Sequence, residues 1–143
     1  MPKSTSYSNS FLNLTFQGTA ITGLANNATT SPLTSLYVSL HTANPGVGGS
    51  QTTSEAAYTG YARVAVVRTS SGWSTATAGS VNPVAAVNFP AATGGSETET
   101  YFAIGTAATG AGTVLYVGTV TPNIAVASGV QPQLTTATTI SEA

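Results

Sequence analysis

One histidine, His41, and four glutamates, Glu55, Glu97, Glu99 and Glu142, are the side chains in this sequence that could exchange a proton near neutral pH; aspartate and cysteine do not occur. Ser-His-acid catalysis needs a buried carboxylate to orient the imidazole, so one of those glutamates would have to serve. No Gly-x-Ser-x-Gly elbow accompanies them. A single imidazole without a thiolate cannot assemble the usual zinc ligand sets, and no cofactor is expected. Glu97 and Glu99 fall two residues apart in "ETETYFAIG". On a strand they lie about 6–7 Å apart on one face. Glycosidase carboxylates flank a scissile bond from opposite sides of a cleft, so two neighbours on one strand read instead as a solvated face. The glycine-rich "GTAATGAGT", residues 105–113, lacks the Gly-Lys-Ser/Thr that reaches phosphate and magnesium, and reads as a loop between strands.

The elements that would hold these residues follow from periodicity. His41 lies in "SLYVSLHTANPG", residues 35–46, where Leu36, Val38 and Leu40 alternate with Tyr37, Ser39 and His41. A two-residue period is that of a half-buried strand, which places His41 on the outward face as a surface or contact residue. A second strand is expected around Val64 and Val66, in "YTGYARVAVVRTSSGWS". Residues 81–89 alternate as a third, with Pro83 pointing to an edge position. Phe102 shares the inward face of "ETETYFAIG", and Leu40 that of its own strand. "TVLYVGTVT" is apolar on both faces and should be central. In the C-terminal stretch Ile124, Val126, Val130, Pro132, Leu134 and Ile140 all fall on even positions. Residues 1–9 read as an extended arm; from Ser10 to about Leu24 helical and strand patterns compete, and we take a short helix capped by Ser8 or Ser10. Many short strands with one brief helix argue for an all-β fold, a jelly-roll-type β-sandwich spanning residues 10–143 as one domain.

Composition narrows the function further. Only 5% of the 143 residues are charged, against about 25% in typical soluble domains. Lys3, Arg63 and Arg68 are too few to neutralise a phosphate backbone, which excludes nucleic acid as a partner. No apolar run is long enough to span a membrane, and no signal peptide is evident at the N-terminus. Without export, the acceptor-like Asn13-Leu14-Thr15 and Asn27-Ala28-Thr29 carry no meaning. A surface of Thr, Ser, Ala, Gly and Asn suits burial against protein neighbours, since an unpaired charge is costly to bury. Aromatic residues and arginine are enriched at interfaces, so "YTGYAR" leans toward a partner surface, while Trp73 is either a core corner or a contact. The candidate interface set is Pro2, Lys3, Tyr7, His41, Tyr58, Tyr61, Arg63, Trp73 and Tyr101.

The runs "LYVSLHTANPG", "YTGYARVAV", "AVNFPAATGG", "YFAIGTAATGAG" and "TPNIAVASGVQPQLTT" resemble a family of small virion proteins of tailed bacteriophages. Within it the chain is most similar to the capsid cement, or decoration, protein of a short-tailed Bordetella phage; similar sequences also carry tail-fibre labels. The cement resemblance implies a non-enzymatic jelly-roll subunit on the capsid exterior of the virion, assembled in the host cytoplasm. It further implies bridging of the major capsid protein and pairing with a second copy as a homodimer. The alternatives are a tail or tail-fibre protein contacting host surface glycan, and a glycosidase-like enzyme using Glu97 or Glu99.

Overall fold

The structure is a computed structural model that describes residues 3–28 and 31–142; Pro2 of the candidate interface and Thr29 of the second acceptor motif lie outside them. The elements run α1 (Thr5–Gln17), β1 (Ser35–His41), β2 (Val64–Val67), β3 (Ser80–Val81), β4 (Val87–Asn88), β5 (Glu97–Gly105), β6 (Val114–Val126), β7 (Gln133–Leu134) and β8 (Ile140–Ser141). The chain thus has one helix among the described residues and is otherwise built of strands and loops. Two compact units emerge, one of residues 1–35, 66–86 and 135–143 and one of residues 36–65 and 87–134.

In the first unit, α1 starts five residues earlier than the sequence suggests, so residues 5–9, expected in an extended arm, form its first turns. Ser4, not Ser8 or Ser10, is the N-cap: its hydroxyl accepts the Tyr7 N–H at 3.2 Å. Ser8, Leu12 and Phe16, four residues apart, make the buried stripe. A buried serine starts that stripe, and apolar periodicity cannot register a serine. Gly18 ends the helix in the left-handed region at φ 68°, passing its N–H to Leu14 and Asn13 carbonyls, well before the expected stop near Leu24. Trp73 packs its ring edge-on to Phe16, with centroids 4.7 Å apart. The short antiparallel β3–β8 ladder pairs Val81 with Ile140, both buried.

The second unit holds most of a sheet in the order β2-β1-β5-β6. β1 and β5 pair antiparallel, with Leu40 opposite Phe102; both are buried, as alternation requires. The opposite face of β1 is buried as well, because Ser39 and His41 are sealed beneath the loop that follows. β5 and β6 pair next, and Phe102 lies against Gly118, where any side chain would collide with its ring. β6 is therefore an edge strand, not the central one its apolar composition suggests. The expected strand over residues 81–89 is interrupted: β3 ends at Val81, Pro83 makes only an isolated bridge to Trp73, and β4 pairs Val87 with Leu134 in a separate ladder. Among the described residues the pairings form one four-stranded sheet and two two-stranded ladders, all sets open; the two facing four-stranded sheets of a jelly roll are not drawn by them.

Candidate functional site

The lone histidine does meet a serine. Because Ser39 and His41 are two apart on β1 they share a face, and Ser39 Oγ lies 2.9 Å from His41 Nε2. Both residues have zero exposure, so no substrate reaches the hydroxyl, and His41 is not the outward-facing residue expected from alternation. The loop over residues 42–56 supplies the cover. Burial pushes the imidazole below its ordinary value of 6.5, against the pull of the Thr53 carbonyl and the Glu55 charge. A neutral ring fits this setting: Nδ1–H donates to Thr53 O at 2.9 Å, and Nε2 accepts the Ser39 hydroxyl. A backbone carbonyl, not a carboxylate, orients the ring, so the pair fastens a loop to a strand.

A second group of side chains does the same nearby. Arg63 makes a two-pronged contact with Glu55, Nε to Oε1 at 2.6 Å and Nη2 to Oε2 at 2.8 Å. It also donates to Ala107 O at 2.8 Å and Gly110 O at 2.7 Å, tying the 105–113 loop to the 50–58 segment. Tyr61 donates its hydroxyl to Glu55 Oε1 and accepts the Leu40 N–H, which holds the segment to β1. Fully buried Gln51 completes the join. Its Nε2 donates to Tyr37 O and its Oε1 accepts the Ala107 N–H. A side chain at Gly105 or Gly112 would strike Gln51, so close packing, not phosphate, explains the glycines of "GTAATGAGT". Beyond this clasp the loop tips are exposed, including Val47 and Thr109.

Glu97 and Glu99 are also not the solvated pair that the alternation suggests. Glu97 Oε1 accepts the N–H groups of Ala57 and Tyr58, each at 2.8 Å, as a half-buried loop fastener. Glu99 has zero exposure, and neither carboxyl oxygen has an aligned hydrogen-bond partner. Burial, followed by the adjacent Glu97 carboxylate, pushes Glu99 up to about 8. A carboxyl so placed is largely protonated at neutral pH. Burial together with these two glutamates also pushes the Tyr58 phenol up to about 12. No cleft separates the two carboxyls, and the glycosidase geometry is not formed.

The remaining candidates are dispersed. Tyr58 is buried with its hydroxyl on Pro90 O, and its ring meets Tyr61 edge-on at 5.3 Å. Trp73 is core. Lys3 pairs with Glu142 near the surface, Tyr7 is exposed on α1, and Tyr101 is half-buried on β5. Among the described residues no three His, Cys, Asp or Glu side chains converge as metal ligands, and no helix is long and apolar enough to cross a membrane. Sequence reasoning passed over Gln51 and Arg68. Arg68 donates to Thr15 O and Leu14 O at the end of α1 and to Leu33 O, contacts that span more than 30 residues and leave no local pattern.

Residues 2–140 match the model of the family described as podophage GP4 fiber I protein gp80, and the chain belongs to that family. No curated protein matches it. The family corrects the assignment to a capsid cement protein that bridges major capsid protein: this is a structural virion component of the tail fibre. The shared runs that suggested a cement protein, such as "LYVSLHTANPG" and "YFAIGTAATGAG", are β1, β5 and their fastened loops. They carry the sheet and its clasp, not a surface particular to capsids.

Proposed function

We propose that this chain is a non-enzymatic fibre subunit whose fastened loop end touches a neutral glycan on the host surface. Membership of the fibre family over residues 2–140 carries the reading. Support comes from how the reactive side chains are used: His41, Glu55 and Arg63 bond to their own chain, and Glu99 is enclosed. What faces solvent at the loop tips is neutral, with Asn44, Thr52 and Thr109 offering hydroxyl and amide groups that suit sugar hydroxyls. Loops held in place before contact lose less entropy on binding. Purified chain should compete with intact phage for adsorption to host cells, and isolated host surface polysaccharide should relieve that competition. Substituting the exposed Thr109 by alanine should reduce the competition without altering thermal unfolding. Undiminished phage adsorption at saturating purified chain would overturn the proposal.

A further inference from the structure

All three cationic side chains of the sequence are committed away from Glu99: Lys3 pairs with Glu142, Arg63 with Glu55, and Arg68 with the carbonyls that end α1. No counter-ion is left for it. Glu99 has zero exposure, both its carboxyl oxygens lack an aligned hydrogen-bond partner, and its neighbour two residues back on β5 is a second carboxylate, Glu97. An isolated buried carboxylate is so costly that the group keeps a proton instead. Of the groups around it, Glu97 shares its strand, and Tyr58, from the segment before β2, feels the charge of both glutamates. Ile124, opposite Glu99 on β6, is apolar, and Thr42, whose carbonyl accepts the Thr100 hydroxyl, carries no charge.

Glu97 does the fastening. Its Oε1 accepts the N–H groups of both Ala57 and Tyr58, each at 2.8 Å, whereas the amides on either side go to backbone, Ala56 N–H to Leu40 O and Thr59 N–H to Gly94 O. We infer that Glu97 and Glu99 are a proton-operated latch: with one proton on the pair the backbone at residues 57 and 58 is held to β5, and loss of that proton to solvent releases it. Once Glu99 ionises, two carboxylates stand on one side of β5 with no cation between them. Glu99 is enclosed, but Glu97 is half-buried and can swing to water, and in leaving it drops both amides. Burial, followed by Glu97 itself, keeps the Glu99 proton in place up to about 8, so the latch is closed at lower pH and opens as pH rises toward 8. This device does not depend on the glycan reading, since residues 57 and 58 are not among the loop-tip groups offered to a sugar.

The test is amide hydrogen exchange of the full chain, corrected for the intrinsic pH dependence of exchange and read residue by residue by NMR. Protection at residues 57 and 58 should fall by about tenfold or more between pH 6 and 8, while Ala56 and Thr59 should change several-fold less. Glu99→Gln should flatten the fall. Glu97→Gln keeps an acceptor oxygen for the two amides but removes the second charge, so it should flatten the fall too, and it decides the matter if the buried amide of Glu99→Gln disturbs folding. Unchanged protection at residues 57 and 58, an equal fall at Ala56 and Thr59, or a fall that survives in Glu97→Gln would each overturn the inference.

Discussion

The two units use an arginine for opposite purposes. In the sheet unit Arg63 is sequestered with a carboxylate: its side chain is 3% exposed, Glu55 holds it in a two-pronged pair, and two loop carbonyls accept from it as well. That carboxylate raises the Arg63 pKa above its ordinary value. In the helical unit Arg68 meets carbonyls and the Asn27 side-chain oxygen, with no carboxylate beside it among the described residues. Burial lowers its pKa. The negative end of α1, whose Leu14 and Thr15 carbonyls accept the guanidinium N–H groups, stands in for the missing anion. One arginine therefore locks two loops through a charge pair; the other ties down a helix end through dipoles. The same residue type thus leaves different penalties on removal.

The largest expected effect is at the charge pair. Arg63→Ala leaves Glu55 partly buried without its counter-ion, a loss of about 3–5 kcal/mol. Arg68→Ala removes hydrogen bonds but strands no opposite charge, and should cost less, about 1.5–3 kcal/mol. Denaturant unfolding of the two variants measures the gap; equal losses would mean that Glu55 and the helix carbonyls are equivalent partners. Arg63→Ala should in addition speed amide exchange over residues 105–113, and Arg68→Ala over the end of α1.

The next effect is on pH. Glu99 holds its proton up to about 8 in the folded chain against 4.5 for a free glutamate. Its contribution is therefore fully present below about 4.5 and is lost as pH rises toward 8, at no more than about 1.4 kcal/mol per pH unit. His41 works the other way. Its pKa is lowered by folding, so stability is lost as pH falls below 6.5. Between pH 6.5 and 8 the Glu99 effect stands apart, and the melting temperature should fall across that window. Glu99→Gln should flatten it while leaving the acid-side fall due to His41. An unchanged slope in the variant would show that Glu99 is ionised in the fold. The smallest effect belongs to Lys3→Ala, whose partner Glu142 lies near the surface: about 0–1 kcal/mol, visible as a slight shift in melting temperature that high salt erases.

Alternation alone located β1 and β5 and the inward faces of Leu40 and Phe102. It could not locate the start of α1, whose stripe begins with the small polar Ser8, nor foresee that Pro83 would split residues 81–89 into two ladders. The polar interior was the least legible. His41 and Glu99 sit at positions that read as outward because the second face of each strand is covered by loops and segments distant in sequence. Gln51, Arg63 and Ala107 come together across more than 40 residues. Composition leaves Trp73 between core and contact, and the ring of Phe16 packed against it decides for core. The virion family was visible in long shared runs; its place in the virion was not, since those runs encode scaffold.

The central claim is that this scaffold serves the tail fibre. Gold-labelled antibodies raised against the purified chain, applied to intact virions and viewed by electron microscopy, test it most directly. Label confined to the fibres is the predicted result; label spread over the capsid shell would contradict the account.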